Sequence, residues 1–458
     1  MNTKAGSYLD FDNAYFIGIG GIGMSALARY FNELGWRVGG YDKVSSPLTQ
    51  NLENEGINIH YEDLGARILS INNLTKRSLI IYTPAIPNEM KEFQSLRDSE
   101  FHVYKRAEVL GMITRNTTSL AVAGTHGKTT TSSMLANILS GSKEKCNAFL
   151  GGIATNFDSN YVGHKMAKYT VVEADEYDRS FLNLNPFAAI VTSTDEDHLD
   201  IYSDRNSFHD GFQQFVNQIE EEGVLIVQAD VSLDYANKLT YAVESKADFE
   251  ANKLRFINGK FLFDVRLPKG EWKNVELGMP GRHNAENALA CIALCSYLGI
   301  PEEAIRFGLS SFEGVKRRFE YQYKSEDLIY IDDYAHHPTE LKALIFSVKM
   351  LFPDKKIIGV FQPHLYSRTS DFMDEFAREL DELDELMLMP IYPAREQPIE
   401  GVTSEALLEK VSMANKAVIT SEDIISKMSN VKSGVVLTIG AGDIDRLVPQ
   451  LKNIFEIR

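Results

Sequence analysis

The chain has 458 residues, is 44% hydrophobic and 24% charged, and carries a formal charge of −17 at pH 7. That balance is ordinary for a globular protein with filled cores, and the length suits roughly three domains of ~150 residues. The acidic excess argues against non-specific nucleic-acid binding but leaves anionic small molecules open, because charges are screened over about 8 Å at physiological salt.

The opening stretch "MNTKAGSYLDFDN" lacks the apolar run of a signal peptide. The uncharged stretch 287–301 is amphipathic and too short to span a bilayer. No membrane insertion is therefore expected. Cys146, Cys291 and Cys295 show neither metal nor disulfide spacing, which suits a reducing cytoplasm.

In chain order, "AYFIGIG" reads as a strand and the residues after it as a helix with apolar positions at Met24, Leu27, Ala28, Phe31 and Leu34, stopped by Gly35. Gly18, Gly20 and Gly23 between them spell the dinucleotide fingerprint, with Asp42 at the distance of a ribose-binding acid. Taken alone, that loop predicts an NAD site. Strands at "WRVGGYD" and "SLIIYTPAI" continue the first αβ segment.

The second segment opens with "SLAVAGTHGKTTTSSMLANIL": strand, glycine loop, Gly127-Lys128-Thr129, helix. Backbone N–H groups and a helix N-terminus surround phosphates in such a loop, while the lysine neutralises them and the hydroxyl reaches a metal. The spacing is unusual, because Gly124 stands three residues before Gly127 and position 122 is Val. Strands in "YTVVEADEYD", "FAAIVTSTDEDHLD" and "GVLIVQAD" end in Glu173, Asp175 and Glu176, and in Asp195, Glu196, Asp197 and His198. Ligands of parallel sheets bind beyond such strand ends, and an imidazole among carboxylates suits a metal. His209 reads as a surface or packing residue. A helix from about Asn284 to Leu298 offers Arg282, His283, Asn284 and Asn287 at its start, where Asn284 is either a cap or a reader of an adenine edge.

The third segment carries strands in "DLIYIDDYAHHP", "KIIGVFQPH", "DELMLMPIY" and "GVVLTIGAGD". Asp332, Asp333, Tyr334, His336, His337, His364 and Arg368 are expected to face one crevice, and Arg317 or Arg318 to meet phosphate at a domain junction. Boundaries near 113 and 314 give domains 1–113, 114–314 and 315–458.

The runs "GTHGKTT", "EADEYDRSF", "DEDHLD", "GRHNAENALA", "KRRFE", "DDYAHHPTE", "FQPHLYSRT" and "YPAREQPIEGV" occur in the order found in the Mur ligase family, and this resemblance spans nearly the whole chain. It implies an α/β protein of three domains: N-terminal Rossmann-like, central P-loop ATPase-like with a parallel or mixed sheet, and C-terminal Rossmann-like. It also implies an ADP-forming ligase in bacterial peptidoglycan synthesis. Such an enzyme phosphorylates the muramoyl carboxylate of UDP-N-acetylmuramate with ATP and lets the L-alanine amine displace phosphate. The alternative is a sister ligase that attaches a preformed peptide to the same UDP-sugar in cell-wall recycling. The first glycine loop then holds a UDP-sugar, since a pyrophosphate on a helix N-terminus is common to both ligands.

By the same resemblance, Gly18, Gly20, Gly21, Gly23, Asp42, Thr83, Pro84 and Ala85 bind the UDP-sugar. Gly124, Thr125, His126, Gly127, Lys128, Thr129 and Thr130 bind the ATP phosphates, and His283, Asn284 and Asn287 the adenine. Two Mg²⁺ ions are implied, one served by Thr129 and Glu173 and the other by His198. Arg318 and Asp333 approach the phosphates, with Arg317 as the competing arginine. Tyr334, His336 and Arg368 match the amino-acid pocket, where Arg368 binds the alanine carboxylate and His336 is a candidate base. Ligases that add later residues carry a carbamylated lysine after the metal histidine. Here no lysine lies between His198 and Lys238, and Gln213, Gln214 and Gln218 are neutral amides. The second metal is therefore expected to rely on His198, substrate and water, steadied by Gln213. A monomer or a homodimer is expected.

Overall fold

The computed structural model describes residues 8–71, 74–195, 205–258, 260–394 and 396–457. The chain forms two compact units, Met1–Glu313 and Gly314–Arg458. The first holds two sheets and the second holds one.

In the first sheet, short apolar runs become β1 (Asn13–Ile17), β2 (Arg37–Tyr41), β3 (Asn58–His60), β4 (Ser78–Tyr82) and β5 (His102–Lys105). They lie all-parallel in the order β3-β2-β1-β4-β5. The chain leaves β1 toward β2 on one side and returns to β4 on the other, so the crevice that parallel sheets offer ligands opens beyond Ile17. The helix Ile22–Glu33 buries Met24, Leu27, Ala28 and Phe31 against the sheet. Leu34, expected on that face, is instead the C-cap and half exposed, because Gly35 takes the left-handed φ of +82° that ends the helix there.

The second sheet has ten strands: β6 (Thr118–Ala123), β7 (Cys146–Ala154), β8 (Ser159–Val162), β9 (Tyr169–Glu173), β10 (Ala188–Val191), β11 (Val224–Gln228), β12 (Lys238–Val243), β13 (Phe249–Ile257), β14 (Lys260–Leu267) and β15 (Gly270–Leu277). Its order is β15-β14-β13-β12-β11-β10-β6-β9-β7-β8, with β6 flanked on both sides by parallel neighbours. Two antiparallel parts were not anticipated, the β7–β8 hairpin and the β13–β15 arm. One hydrophobic core runs from Phe16, Leu27 and Phe31 through Ile113 and Phe149 to Val172 and Phe212, so the first two sheets share an interior. The three cysteines are buried in packing.

The second unit has strands β16 (Glu320–Lys324), β17 (Leu328–Asp333), β18 (Ile357–Phe361), β19 (Glu385–Leu388), β20 (Lys416–Val418) and β21 (Gly434–Ile439). The order is β16-β17-β21-β18-β19-β20, parallel except for β16. Asp333 and Phe361 both pair with Ile439, which brings the loops after β17, β18 and β21 to one edge. No helix among the described residues is long and apolar enough to cross a membrane.

Candidate functional site

Beyond β1 the first glycine loop is shaped by contacts that a side chain would block. Gly18 has φ +87°, and a Cβ there would lie 2.6 Å from the Thr83 methyl. The Gly20 N–H donates to Asp42 Oδ2 at 2.7 Å, and the Lys43 N–H to the other oxygen at 2.7 Å. Asp42 therefore braces the loop from inside. Gly21 caps the following helix without a side-chain hydrogen bond, which leaves the first-turn amides to an external acceptor. Arg106 lies against Gly23, its Nη1 2.6 Å from where a Cβ would stand, and has no carboxylate partner among the described residues. Thr83 holds the turn after β4, accepting from the Ala85 N–H at 3.5 Å through its hydroxyl and from the Ile86 N–H at 3.1 Å through its carbonyl, with Pro84 between.

A cavity of about 340 Å³ starts at this loop and is lined by Gly21, Gly23, Thr83, Arg106, Phe149, Gly151, Glu173 and Asp175. It leads to the second glycine loop's neighbourhood. There Gly124 (φ +129°) is pressed so closely on Thr192 and the Ser193 amide that no Cβ fits, and Gly127 (φ +81°) lies against Asn287, whose Oδ1 is 2.6 Å from a would-be Cβ. The Thr125 N–H donates to Ser193 O at 3.2 Å, its hydroxyl to Asp195 O at 2.7 Å, and the His126 N–H to Ser193 Oγ at 3.1 Å. The loop is thus tied to the end of β10. Gly127 caps the helix Lys128–Gly141 with no side-chain hydrogen bond, again leaving amides for an anion, and Thr130 is buried one turn inside.

Lys128 Nζ sits 2.8 Å from both oxygens of Glu176 and 2.8 Å from Gly124 O. Burial alone would lower its pKa, but the carboxylates of Glu176, Asp175 and Glu173 outweigh that and raise it. Thr129 donates its hydroxyl proton to Glu173 Oε1 at 3.1 Å, and the Gly151 N–H donates to Glu173 Oε2 at 3.0 Å. A Cβ on Gly151 would come within 2.4 Å of that carboxylate. An adjacent hydroxyl and carboxylate are hard oxygen donors that suit Mg²⁺. Among the described residues no cluster of three or more His, Cys, Asp or Glu could hold a metal by itself. His198, Glu196 and Asp197 lie outside the described residues.

Several expectations need correcting. Gln213 does not stand free for a metal: its amide donates to Asp234 O and accepts from the Asp234 N–H, both at 2.9 Å. Asn284 is buried and donates one amide N–H to Pro280 O at 2.9 Å, which braces its helix start as the cap reading allowed and leaves its second N–H and its Oδ1 uncommitted by that bond. Asn287 by contrast reaches the phosphate loop, and His283 begins the same helix, Arg282–Tyr297. His209 is exposed and bonds Ser232 O, in line with the surface half of its reading as a surface or packing residue.

In the second unit, the crevice loses two of its expected members. Asp332 is fully buried, accepting from Arg317 Nε at 3.1 Å and the Thr438 hydroxyl at 2.6 Å. His337 is buried as the N-cap of the helix Pro338–Leu351, against Phe372. Arg317 also donates to Gly440 O at 2.7 Å and covers the Tyr334 ring at 5.3 Å, so its guanidinium is committed to the fold. Arg318 is the arginine that acts on Asp333, lowering its pKa against the burial that pushes it up to about 7. Asp333 accepts from the Phe319 N–H at 2.6 Å and the Ala335 N–H at 2.8 Å. Tyr334, His336 and His364 do converge, with ring centroids 5.2 Å apart between Tyr334 and His336 and 5.9 Å between His336 and His364. His336 Nδ1 is 2.9 Å from Tyr334 O and 3.4 Å from Glu340, so that nitrogen is occupied. His364 stacks on Tyr392, and its Nδ1 is buried without a hydrogen-bond partner among the described residues. Burial, then His336 and Arg368, pull its pKa down to about 4.

Arg106, Gly151 and the role of Glu176 escaped sequence reasoning. Glu176 stood in the quoted acidic run, but nothing local pairs it with Lys128, and Arg106 carries no motif at all.

The models described as Mur ligase family, catalytic domain; Mur ligase middle domain; and Mur ligase, glutamate ligase domain match residues 13–118, 122–295 and 317–442. The UDP-N-acetylmuramate–L-alanine ligase of Cytophaga hutchinsonii is 46% identical over 453 residues, 97% of each chain. The solved UDP-N-acetylmuramate-alanine ligase of Thermotoga maritima superposes with a TM-score of 0.82 at 26% identity, covering 97% of this chain and 99% of its own. A murein peptide ligase from Psychrobacter arcticus shares the fold, with a TM-score of 0.71 at 24% identity over 96% of this chain and 99% of its own. With three successive domain matches and that identity over nearly its whole length, the chain belongs to the Mur ligase family.

Proposed function

We infer that this protein joins L-alanine to the muramoyl carboxylate of UDP-N-acetylmuramate in peptidoglycan synthesis, with ATP cleaved to ADP. The observation that carries this is the 46% identity, over 97% of both chains, to a ligase named for that reaction. The site agrees with it: a free carboxylate is a poor acyl donor, and a cavity that runs from the first phosphate-type loop to Glu173, the partner of Thr129 in the second, suits an enzyme that phosphorylates a substrate itself held by a diphosphate.

We assign the diphosphate to the first-turn amides after Gly21, with Gly18, Gly20 and Gly23 permitting the approach, Asp42 bracing the loop and Arg106 adding a cation. The turn Thr83–Pro84–Ala85 borders it. Gly124 to Thr130 hold the ATP phosphates, and Lys128 neutralises the charge that builds on them during transfer. Thr129 and Glu173 hold one Mg²⁺ and His198 a second; such ions neutralise phosphate charge when bound. Arg318 and Asp333 serve the phosphates and His283 and Asn287 the nucleoside. Tyr334, His336 and Arg368 receive alanine, Arg368 pairing with its carboxylate. The domain boundaries are placed at 113 and 314, and the protein in the cytoplasm with its ATP.

Mixing the protein with ATP, Mg²⁺ and UDP-N-acetylmuramate should release ADP only when L-alanine is added. Release with a preformed peptide and not with alanine would point to the recycling ligase, and release with neither would refute a ligase of this sugar.

A further inference from the structure

Lys128 is the residue expected to neutralise nucleotide phosphates, yet its ammonium already has its partners. An ammonium has three protons to donate. Here the nearest acceptors are Gly124 O and the two oxygens of Glu176, all at 2.8 Å, with Thr125 O farther off at 3.4 Å. The Glu176 side chain is only 1% exposed and that of Lys128 14%, so water replaces none of these contacts. Glu176 lies three residues beyond Glu173, at the entry to the turn Tyr177–Asn183. In that turn Asp178 and Arg179 both take φ near +50°, a conformation costly for non-glycine residues. The turn is pinned by the Ser180 hydroxyl and the Phe181 N–H, both donating to Asp175 O at 2.9 Å. The carboxylate is therefore held at Lys128 by strained and anchored backbone, whereas a mobile surface acid would only chance upon it.

We propose that Glu176 is a positioning residue for nucleotide binding: it keeps Lys128 in the mouth of the loop as its counter-ion and is displaced from it by the terminal phosphate of the nucleotide. This rests on the second loop being the nucleotide site. Removing a partner from a buried pair leaves charge uncompensated, so the loop without Glu176 would hold an ammonium with no directly bonded carboxylate, left to the more distant Asp175 and Glu173. The exchange lets the lysine pass from one anion to another. Nucleotide affinity is then the difference between two anion contacts, lower than the phosphate contact alone would give, which favours release of ADP after each turnover.

The test is calorimetric titration of the full-length protein with ADP. In Glu176→Gln the competing charge is gone, and ADP should bind about ten-fold tighter, the scale of one charge-assisted hydrogen bond. Binding of UDP-N-acetylmuramate should not change, and the KM for ATP should fall while that for L-alanine stays. Glu176→Asp keeps the charge but withdraws it by one methylene, and should shift ADP affinity in the same direction by less. It decides the matter alone if the glutamine variant does not fold. Unchanged ADP affinity with a lower Tm would make Glu176 purely structural and overturn the proposal. Weaker ADP binding would overturn it too, by showing that Glu176 stays on Lys128 in the complex. A wild-type protein that binds no ADP is a different failure, that of the nucleotide reading.

Discussion

Arg368 and its histidine neighbours show how single side chains divide the labour in the second unit. Arg368 sits in the short helix Tyr366–Asp371, launched by Leu365 at the unfavourable φ of +71°, and its charge reaches His364. Replacing it with alanine should raise the KM for L-alanine by about ten-fold or more, since a hydrogen bond to a charged group is worth ~1.5–3 kcal/mol. The KM for ATP should hold; equal losses for both substrates would move Arg368 to the phosphates. Two other groups make opposite statements about pH. His364 is held down at about 4 by burial and by the His336 and Arg368 charges, against Glu396. The unfolded chain takes up that proton below pH ~6.5, so His364's contribution to stability is lost as pH falls from there toward 4. Asp333 is pushed up to about 7 by burial. The unfolded chain gives up that proton above pH ~3.9, so this contribution is lost as pH rises from about 4 through 7. In wild type the slopes oppose each other. Melting curves of His364→Gln should fall more steeply with rising pH between these limits, and those of Asp333→Asn should climb. Parallel profiles for all three proteins would show that neither group titrates as the geometry implies.

Elements place these residues, and they were legible in the sequence to the degree that their causes are local. Both glycine loops, the strands before them and the helices after them follow from apolar spacing and backbone demands within about twenty residues. The β7–β8 hairpin and the β13–β15 arm did not follow, because β13 and β14 are half-buried strands whose alternation is broken by register shifts between Asn252 and Arg255 and between Phe263 and Val265. Site residues divide in the same way. Lys128, Thr129 and Glu173 lie in motifs, while Asp332 and His337 looked functional but satisfy buried polar groups, a distinction only tertiary partners reveal. Gly151 belongs to the second kind. It is exposed on β7 and its φ is unremarkable, so nothing local demands glycine; the demand comes from the Glu173 carboxylate lying over it. Gly151→Ala should therefore displace Glu173 from Thr129 with little cost to the fold. The Mg²⁺ concentration for half-maximal activity should rise several-fold while Tm stays near wild type. An unchanged Mg²⁺ curve would remove Glu173 from the metal site.

At the scale of the molecule, the two phosphate-type loops lie on different sheets but within one compact unit. The joint is polar as well as apolar. Asn160 on β8 is fully buried, donates to Ile22 O at 2.5 Å and Ser25 Oγ at 2.8 Å in the first helix, and accepts from Arg29. Beside it the Tyr161 hydroxyl donates to Glu33 at 2.8 Å, and Tyr30 meets Phe149 edge-on at 5.3 Å. The same first helix carries at its N-terminus the amides proposed for the diphosphate, and the same hairpin carries the Gly151 amide that donates to Glu173. A shared core and a satisfied polar joint make the two sheets one cooperative body, so a ligand of either loop should stabilise both. In scanning calorimetry, UDP-N-acetylmuramate and ADP added separately should raise the same transition, each by about 2.7 kcal/mol when present at 100 times its Kd. Asn160→Leu leaves Ile22 O and Arg29 short of a buried partner and removes that joint. In this variant the transition should broaden or split, with UDP-N-acetylmuramate raising one component and ADP the other. Separate transitions already present in wild type, each answering to its own ligand, would show that the shared core does not bind the two sheets into one folding unit.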